Sequence, residues 1–227
     1  MTLDKMTQSK SAVAESWLET SDAVLRGLNH EFSNRLSLAR LSPQLSALLA
    51  SGEPGMQQVA ADVDRSEDLL HLLRLYRLMV FASSEQAEPV LVSDIVVDSV
   101  DLFKHHTTFR DLDVRVIPDT TIPPVLMSPG ALTQAVLLLL CAAARQVSLA
   151  RGDTGVLVVN LSADANSVHI AVSADEAGAK AGGDGPPEFP ALRYLIRDVN
   201  GSAEITPVGA MLSIGTLVSL RQREKRG

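Results

Sequence analysis

The chain has 227 residues, of which 46% are hydrophobic and only 4% aromatic, so aliphatic side chains must fill its core. This length accommodates one large domain or two small ones. The formal net charge of -7 argues against non-specific nucleic-acid binding, which requires a basic face.

The sequence also limits the expected cellular location, disulfide bonds and metal sites. The first 17 residues lack a continuous apolar stretch of the signal-peptide type. The longest apolar run, from Ala135 to Ala144, is shorter than the roughly 20 residues that cross a bilayer. The single cysteine, Cys141, cannot form an internal disulfide, and we expect a buried thiol. Because neither a signal-peptide stretch nor a membrane-spanning stretch is apparent, we expect a cytoplasmic protein. No metal-ligand spacing is present in the sequence, so we expect no metal site.

After a flexible N-terminus at 1–11, residues 12–83 are predicted to form two long helices. Breakers at 51–55 (SGEPG) separate them, which predicts an antiparallel hairpin, and Pro43 is expected to bend the first helix. Apolar residues recur at helical spacing on both sides of this turn. The first stripe contains Leu18, Val24, Leu25, Leu28, Phe32, Leu36, Ala39 and Leu45; the second contains Val59, Val63, Leu70, Leu73 and Val80, widened by Leu69, Leu72 and Tyr76.

Two helices cannot enclose a core by themselves, so the hairpin needs a further apolar partner. A second copy would supply it, giving a four-helix bundle in a homodimer. The alternative is that the C-terminal half of the same chain covers the hairpin.

A linker at 84–90 separates the hairpin from residues 91–221, whose pattern mixes helices and strands. Helices are predicted at 94–106, with Ser93 as the N-cap, at 129–150 and at 188–199. Strands are predicted at 113–117, 155–161, 168–172, 203–205 and 211–220, with a turn at 164–166, a flexible loop at 177–187 and a basic tail at 222–227. Helices over one face of a largely antiparallel sheet give an α/β sandwich, and the class of the whole chain is α+β.

The run Gly27 to Leu36 (GLNHEFSNRL) places a histidine on the first predicted helix. His30 and Asn34 share a helix face, and His30 lies beside the apolar stripe, so we expect it to face water. A neutral imidazole is a competent nucleophile near pH 7. Glu31 would bend back to hold one ring nitrogen, and Asn34 would orient an incoming phosphoryl group or its carrier. The alternative is an exposed histidine without a function.

The segment HEFSN resembles the H-[DE]-x-x-[NT] phosphorylation box of histidine kinase dimerisation domains. Kinase boxes commonly have proline after the Asn, whereas this chain has Arg35, which is more similar to the box of the bundle-type phosphotransferase of the sporulation relay. The resemblance implies that His30 is the phosphoacceptor, Glu31 its activating acid and Asn34 the third, orienting member.

The segment from Ser128 to Leu140 resembles the histidine kinase ATP-domain motif D-P-x-x-L-x-Q-V-L-x-N-L-L-x-N-A. Its two asparagines fall on Leu138 and Ala142, so the side chain that would hold Mg²⁺ beside a triphosphate is absent. No clear Asp-x-Gly-x-Gly box follows Val172. The only candidate phosphate loop is 182–185 (GGDG); Asp184 and the prolines at 186 and 187 weaken that role, and we expect a plain flexible loop. The resemblance therefore implies a degenerate ATPase-like domain.

This layout resembles the bundle-type histidine phosphotransferases of the sporulation and cell-cycle phosphorelays. It implies a homodimer that shuttles phosphoryl groups between His30 and aspartates of response-regulator receiver domains without using ATP. No cofactor is expected on this chain, because the receiver would bring Mg²⁺; a hybrid histidine kinase is a further expected partner. Two alternatives are a divergent ATP-dependent sensor histidine kinase and a non-catalytic pseudokinase that docks a receiver.

Arginines are expected to gather around the phosphoacceptor. A hairpin that turns near 53–54 places Arg74 or Arg77 at the level of His30 on the opposite helix. With Arg26 and Arg35, these guanidiniums would contact the phosphate or the receiver. The alternative is an ordinary solvated charged face.

Overall fold

The computed structural model describes residues 3–49, 56–81, 86–117, 119, 121–151, 155–174, 186–206 and 209–217. Both predicted long helices are present, as α1 (Leu3–Leu49) and α2 (Met56–Phe81). Helix α1 begins at Leu3, so residues 3–11 are helical where a flexible N-terminus was predicted. It also continues past Pro43. The predicted turn at 51–55 and the basic tail lie outside the described residues.

The second half is the predicted α/β sandwich. Its helices are α3 (Val92–Phe103), α4 (Pro129–Arg151) and α5 (Glu188–Leu195), and a 3₁₀ turn follows at Arg197–Val199. Its strands are β1 (Glu88–Val90), β2 (Leu112–Ile117), β3 (Val125–Met127), β4 (Gly155–Ala163), β5 (Ser167–Ala174), β6 (Ser202–Thr206) and β7 (Gly209–Gly215). The α+β class is confirmed.

The main sheet has the order β2-β4-β5-β7-β6, in which only the β2–β4 pair is parallel. Alternate residues of β4 and β5 are buried, among them Leu157, Val159, Val168 and Ile170, and this face packs against α4. The Asp164 carboxylate accepts hydrogen bonds from the Asn166 and Ser167 amides and so closes the predicted β4–β5 turn.

Three local predictions were wrong. The predicted linker at 84–90 ends in strand β1, which pairs with β3 in a separate antiparallel ribbon. Helix α3 begins at Val92, and its N-cap is Leu91 without a side-chain cap, so Ser93 lies inside the helix. The last predicted helix stops at Leu195 because the Ile196 carbonyl accepts the Gly201 amide at 2.9 Å and Asn200 adopts a left-handed conformation.

Helix α4 forms the centre of the core. Every residue from Ala135 to Ala144 is at most 1% exposed, and this set includes Cys141, the predicted buried thiol. Among the described helices it alone is long and apolar enough to cross a membrane, and 83% of that stretch is buried inside the domain. The core helix of a domain, enclosed by other elements, has the same length and apolar composition as a membrane-spanning helix.

Helix α1 presents different faces to different neighbours. The stripe Ser16, Thr20, Val24 and Leu28 is buried, and α1 packs on α4 and α5 as well as on α2. Among the residues 66–79 of α2, whose burial is described, Leu72, Leu75 and Met79 are buried. The C-terminal half therefore covers one side of the hairpin, as the alternative prediction stated.

The opposite side of the hairpin is uncovered in the single chain. Several residues predicted to lie in the buried stripes are exposed: Leu18, Leu36, Leu70, Leu73 and Tyr76. The helical spacing of apolar residues predicted that these side chains are buried, but the C-terminal half of the same chain does not cover them. The four-helix bundle stays a prediction that this apolar face favours.

Candidate functional site

His30 lies on the exposed side of α1, where the periodicity placed it. Its Nδ1 is 3.2 Å from the side-chain nitrogen of Asn34, one helical turn further on. An amide nitrogen donates, so Nδ1 is the acceptor in this orientation, and a half-turn of the amide reverses the roles. In both orientations Asn34 engages Nδ1, while Nε2 has no hydrogen-bonding partner among the described residues.

The Glu31 side chain pairs with Arg35 and forms no hydrogen bond with His30. The Arg35 Nε donates to Glu31 Oε1 at 2.7 Å, and the same guanidinium forms an ion pair with Asp68 of α2. These contacts raise the pKa of Arg35 above its ordinary value, the hydrogen bond to Glu31 contributing most. Consecutive helical residues point in different directions whereas residues four apart align, which is why Glu31 meets Arg35.

Three of the four arginines predicted to contact the phosphate or the receiver pair with carboxylates in the structure, and their role at His30 stays a prediction. The Arg35–Asp68 contact sets the hairpin register and brings residues near Leu73 to the level of His30. Arg74 is therefore at the predicted level, but its Nη2 donates to Asp98 of α3 at 2.8 Å. Arg26 pairs with Asp22 on its own helix. Arg77 is exposed and makes no ion pair with another described residue.

The end of α3 packs against α1 one turn before His30. At Gly27 an added Cβ would overlap the carbonyl oxygen of His105, so only glycine permits this approach. Burial lowers the pKa of the His105 imidazole, whereas the nearby Glu31 carboxylate opposes that shift. Sequence reasoning missed this contact, although a glycine inside a helical pattern is a known sign of close approach.

A small apolar pocket of about 150 Å³ lies between α1 and α2, and Asn29, which precedes His30 in the sequence, is part of its lining. Leu28 and Phe32 form one wall, and Leu73 and Tyr76 form the other. The pocket opens on the uncovered side of the hairpin, where Leu73 and Tyr76 are exposed.

The positions matched to the kinase asparagines are part of the core. Leu138 and Ala142 are both 0% exposed. A cavity of about 310 Å³ beside Leu138 is bounded by Trp17 of α1, Gln134 of α4 and Tyr194 of α5, and none of its described lining residues is charged. The candidate phosphate loop at 182–185 lies outside the described residues.

Throughout the described ranges, no group of three or more His, Cys, Asp or Glu side chains is arranged to hold a metal ion. The expectation that a receiver supplies Mg²⁺, and that this chain binds no cofactor, stays a prediction.

No family model and no curated protein matches the chain. Solved structures do match. The chain is similar to the mycobacterial sensor histidine kinase MprB, with 18% identity, coverage of 57% of this chain and 98% of that one, and a TM-score of 0.41. It is also similar to the Acinetobacter baumannii histidine kinase AdeS, with 13% identity, 83% and 98% coverage and a TM-score of 0.43. The blue-light activated histidine kinase of Erythrobacter litoralis matches at 15% identity, with 86% and 61% coverage and a TM-score of 0.45.

Proposed function

We propose that this chain is a histidine phosphotransferase of a two-component phosphorelay, which shuttles a phosphoryl group between His30 and receiver-domain aspartates without using ATP. The observation that carries the proposal is the exposed imidazole of His30, engaged at Nδ1 by Asn34 and open at Nε2. It is the arrangement that a phosphoryl acceptor requires.

Transfer begins with a neutral His30 whose Nδ1–H donates to the Asn34 side-chain oxygen. The Nε2 lone pair then attacks the phosphorus of a receiver's aspartyl phosphate. The N–P bond forms as the P–O bond breaks, the aspartate leaves as a carboxylate, and the Nδ1 proton passes to solvent. The reverse sequence loads a second receiver. Such a reaction depends mainly on positioning and on charge neutralisation, and the receiver's own Mg²⁺ supplies the latter.

Asn34, rather than Glu31, is the orienting residue in this proposal. The Glu31 carboxylate is held by Arg35, which also fixes α1 to α2 through Asp68. Glu31 then acts on His30 only through the rigidity of the hairpin. Arg77, exposed on α2, is the arginine best placed to contact a receiver.

The chain also carries features that disfavour the ATP-dependent alternative. Apolar side chains fill the positions where Mg²⁺ ligands would stand, and hard cations require oxygen ligands. A cytoplasmic homodimer joined through the hairpin, with receivers and a hybrid kinase as partners, completes the proposal.

The test is label transfer from a phosphorylated receiver to this chain. We expect an acid-labile, base-stable adduct on wild-type protein and none on His30→Ala, with folding unchanged because the side chain is exposed. His71→Ala is the matched control, since His71 is an exposed histidine on the other helix of the hairpin, and this variant should keep the label. Label that persists in His30→Ala would show that another residue accepts the phosphoryl group. A complete absence of transfer from a broad panel of receivers would favour the docking-module alternative.

Two further variants in the same assay separate the roles of Asn34 and Glu31. Asn34→Ala should slow transfer by about 10- to 100-fold, because the ring loses the group that orients it. Glu31→Gln retains an oxygen for Arg35 and should cost less than about tenfold. A loss of about 100-fold or more in Glu31→Gln would instead restore Glu31 as a direct base.

A further inference from the structure

The N-terminal part of α1 lies in the groove between α4 and α5. Trp17 is partly buried there, and its side chain helps to line the cavity that Leu138 of α4 and Tyr194 of α5 also bound. Leu138 is one of the two positions matched to a kinase asparagine. The face of α4 on which a nucleotide would depend is thus covered by this chain's own first helix.

A second contact lies one turn further along α1. The Thr20 side chain is 4% exposed and lies close to the thiol of Cys141, which is 1% exposed. Burial raises the pKa of Cys141 far above its ordinary value, so the group is a neutral thiol. Two buried side chains that lie side by side, one on each helix, constrain the position of α1 against α4.

A third contact connects all three helices through charge. Arg145 of α4 donates from Nε and Nη2 to one oxygen of Glu188 on α5, at 3.0 and 2.8 Å, and Glu188 is only 2% exposed. The same guanidinium lies 3.7 Å from Glu19 of α1. Opening this junction would bring water to a buried ion pair whose geometry depends on all three helices.

We propose that residues 14–20 of α1 are a permanent occupant of the α4–α5 groove, where Trp17 and Leu138, a position matched to a kinase asparagine, bound one cavity without a charged residue in its described lining. This intramolecular clamp makes the hairpin and the α/β domain one rigid body. His30 lies 13 positions after Trp17 on the same helix, about 20 Å along its axis. The α/β domain thereby sets the position of the phosphoacceptor helix rather than supplying a nucleotide. The clamp does not depend on the proposed function, and its test needs no receiver.

The chain's single cysteine provides a direct test. In Thr20→Cys protein, mild oxidation should form an intramolecular disulfide to Cys141, because the proposed clamp holds residue 20 beside the buried thiol. Asp22→Cys is the matched control, since residue 22 is exposed and lies two positions along, on the opposite side of α1. Non-reducing gels and peptide masses should show the bond in the first variant only. Equal yields in both, or no bond in either, would overturn the clamp.

A second measurement does not require the engineered cysteine. Cys141 should resist alkylation in the native chain, and Trp17→Ala should speed its modification by about tenfold or more by opening the groove. Val97→Ala is the control, because Val97 is 51% exposed and lies on α3, outside both the groove and the apolar face of the hairpin. Far-UV circular dichroism verifies that both variants fold. Similar alkylation rates in the two variants would contradict the proposal, as would a change in wild-type reactivity on adding millimolar Mg-ATP.

Discussion

His30 and Glu31 are adjacent in the sequence, yet their side chains form hydrogen bonds with different residues. His30 turns to Asn34 in solvent, and Glu31 turns to Arg35 at the junction with α2. The segment from His30 to Arg35 therefore holds two pairs of residues four apart, set side by side on one helix. As a result the freedom of the His30 ring is controlled by an amide, while the carboxylate stabilises the hairpin.

His106 provides a pH-dependent prediction at the scale of one residue. Its ring is 6% exposed and stacks on Phe109 at 4.7 Å, and burial lowers its pKa to about 4. In the unfolded chain the pKa is near 6.5, so below that pH the unfolded state binds the extra proton. Stability should therefore fall as the pH drops from about 6.5 to about 4, by as much as about 3 kcal/mol from this group.

Urea unfolding at a series of pH values measures this effect. His106→Phe keeps a ring of similar shape but cannot be protonated, so its stability should depend less on pH over the same range. His71→Phe, at an exposed position, should leave the wild-type dependence in place. Identical pH profiles for wild-type and His106→Phe protein would contradict the assignment.

At the scale of elements, Gly27 tests the contact between α1 and the end of α3. Alanine in an open helix stabilises by about 1 kcal/mol relative to glycine. Here a Cβ would overlap the carbonyl oxygen of His105. We therefore expect Gly27→Ala to destabilise the protein by roughly 1–3 kcal/mol, as overpacking does.

Chemical denaturation measures whether Gly27→Ala raises or lowers the free energy of unfolding. Ser33→Ala, on the exposed part of the same helix, serves as the control and should change the free energy of unfolding by less than about 0.5 kcal/mol. If Gly27→Ala stabilised the protein, α1 would not be packed against His105 in solution.

The uncovered side of the hairpin predicts self-association. Leu18, Leu36, Leu70 and Leu73 are between 42% and 65% exposed in the single chain. A continuous apolar face on two neighbouring helices is ordinarily buried by a second copy. We expect a homodimer at micromolar concentration, and Leu73→Glu should yield a monomer that remains folded.

Light scattering after size-exclusion chromatography measures the mass of each form. Ile117→Glu is the matched control: Ile117 is 53% exposed, but it lies on β2, away from the hairpin, and the variant should stay dimeric. A wild-type monomer at these concentrations, or equal loss of mass in both variants, would contradict the four-helix bundle.

For the whole molecule, the main expectation is that Mg-ATP does not bind at millimolar concentration. Leu138 and Ala142 are fully buried, and the described wall of the adjoining cavity carries no charge. A ligand at 100 times its dissociation constant stabilises a fold by about 2.7 kcal/mol, so a thermal shift would detect real binding.

Calorimetry with Mg-ATP, compared with Mg²⁺ alone, completes this test. We expect identical traces and an unchanged melting temperature. A sub-millimolar dissociation constant, or autophosphorylation from labelled ATP, would favour the divergent histidine kinase instead.

The amino-acid sequence by itself determined the elements and the class of fold. Apolar spacing, the breakers at 51–55 and the alternation in β4 and β5 are local signals, because hydrogen bonding within a helix or across a hairpin depends on near neighbours. For the same reason, the spacing of four between His30 and Asn34 predicted a shared face. The short ribbon of β1 and β3 was missed because strands of three residues carry too little pattern.

Tertiary structure alone decided which faces are covered and which charges meet. Arg74 pairs with Asp98, Gly27 approaches His105, and Trp17 and Leu138 line one cavity. Each pair joins residues far apart in the chain, so its formation depends on how the two halves dock. Periodicity marks a helix face as apolar but does not identify its partner, because burial by the same chain and burial by a second copy favour the same side chains.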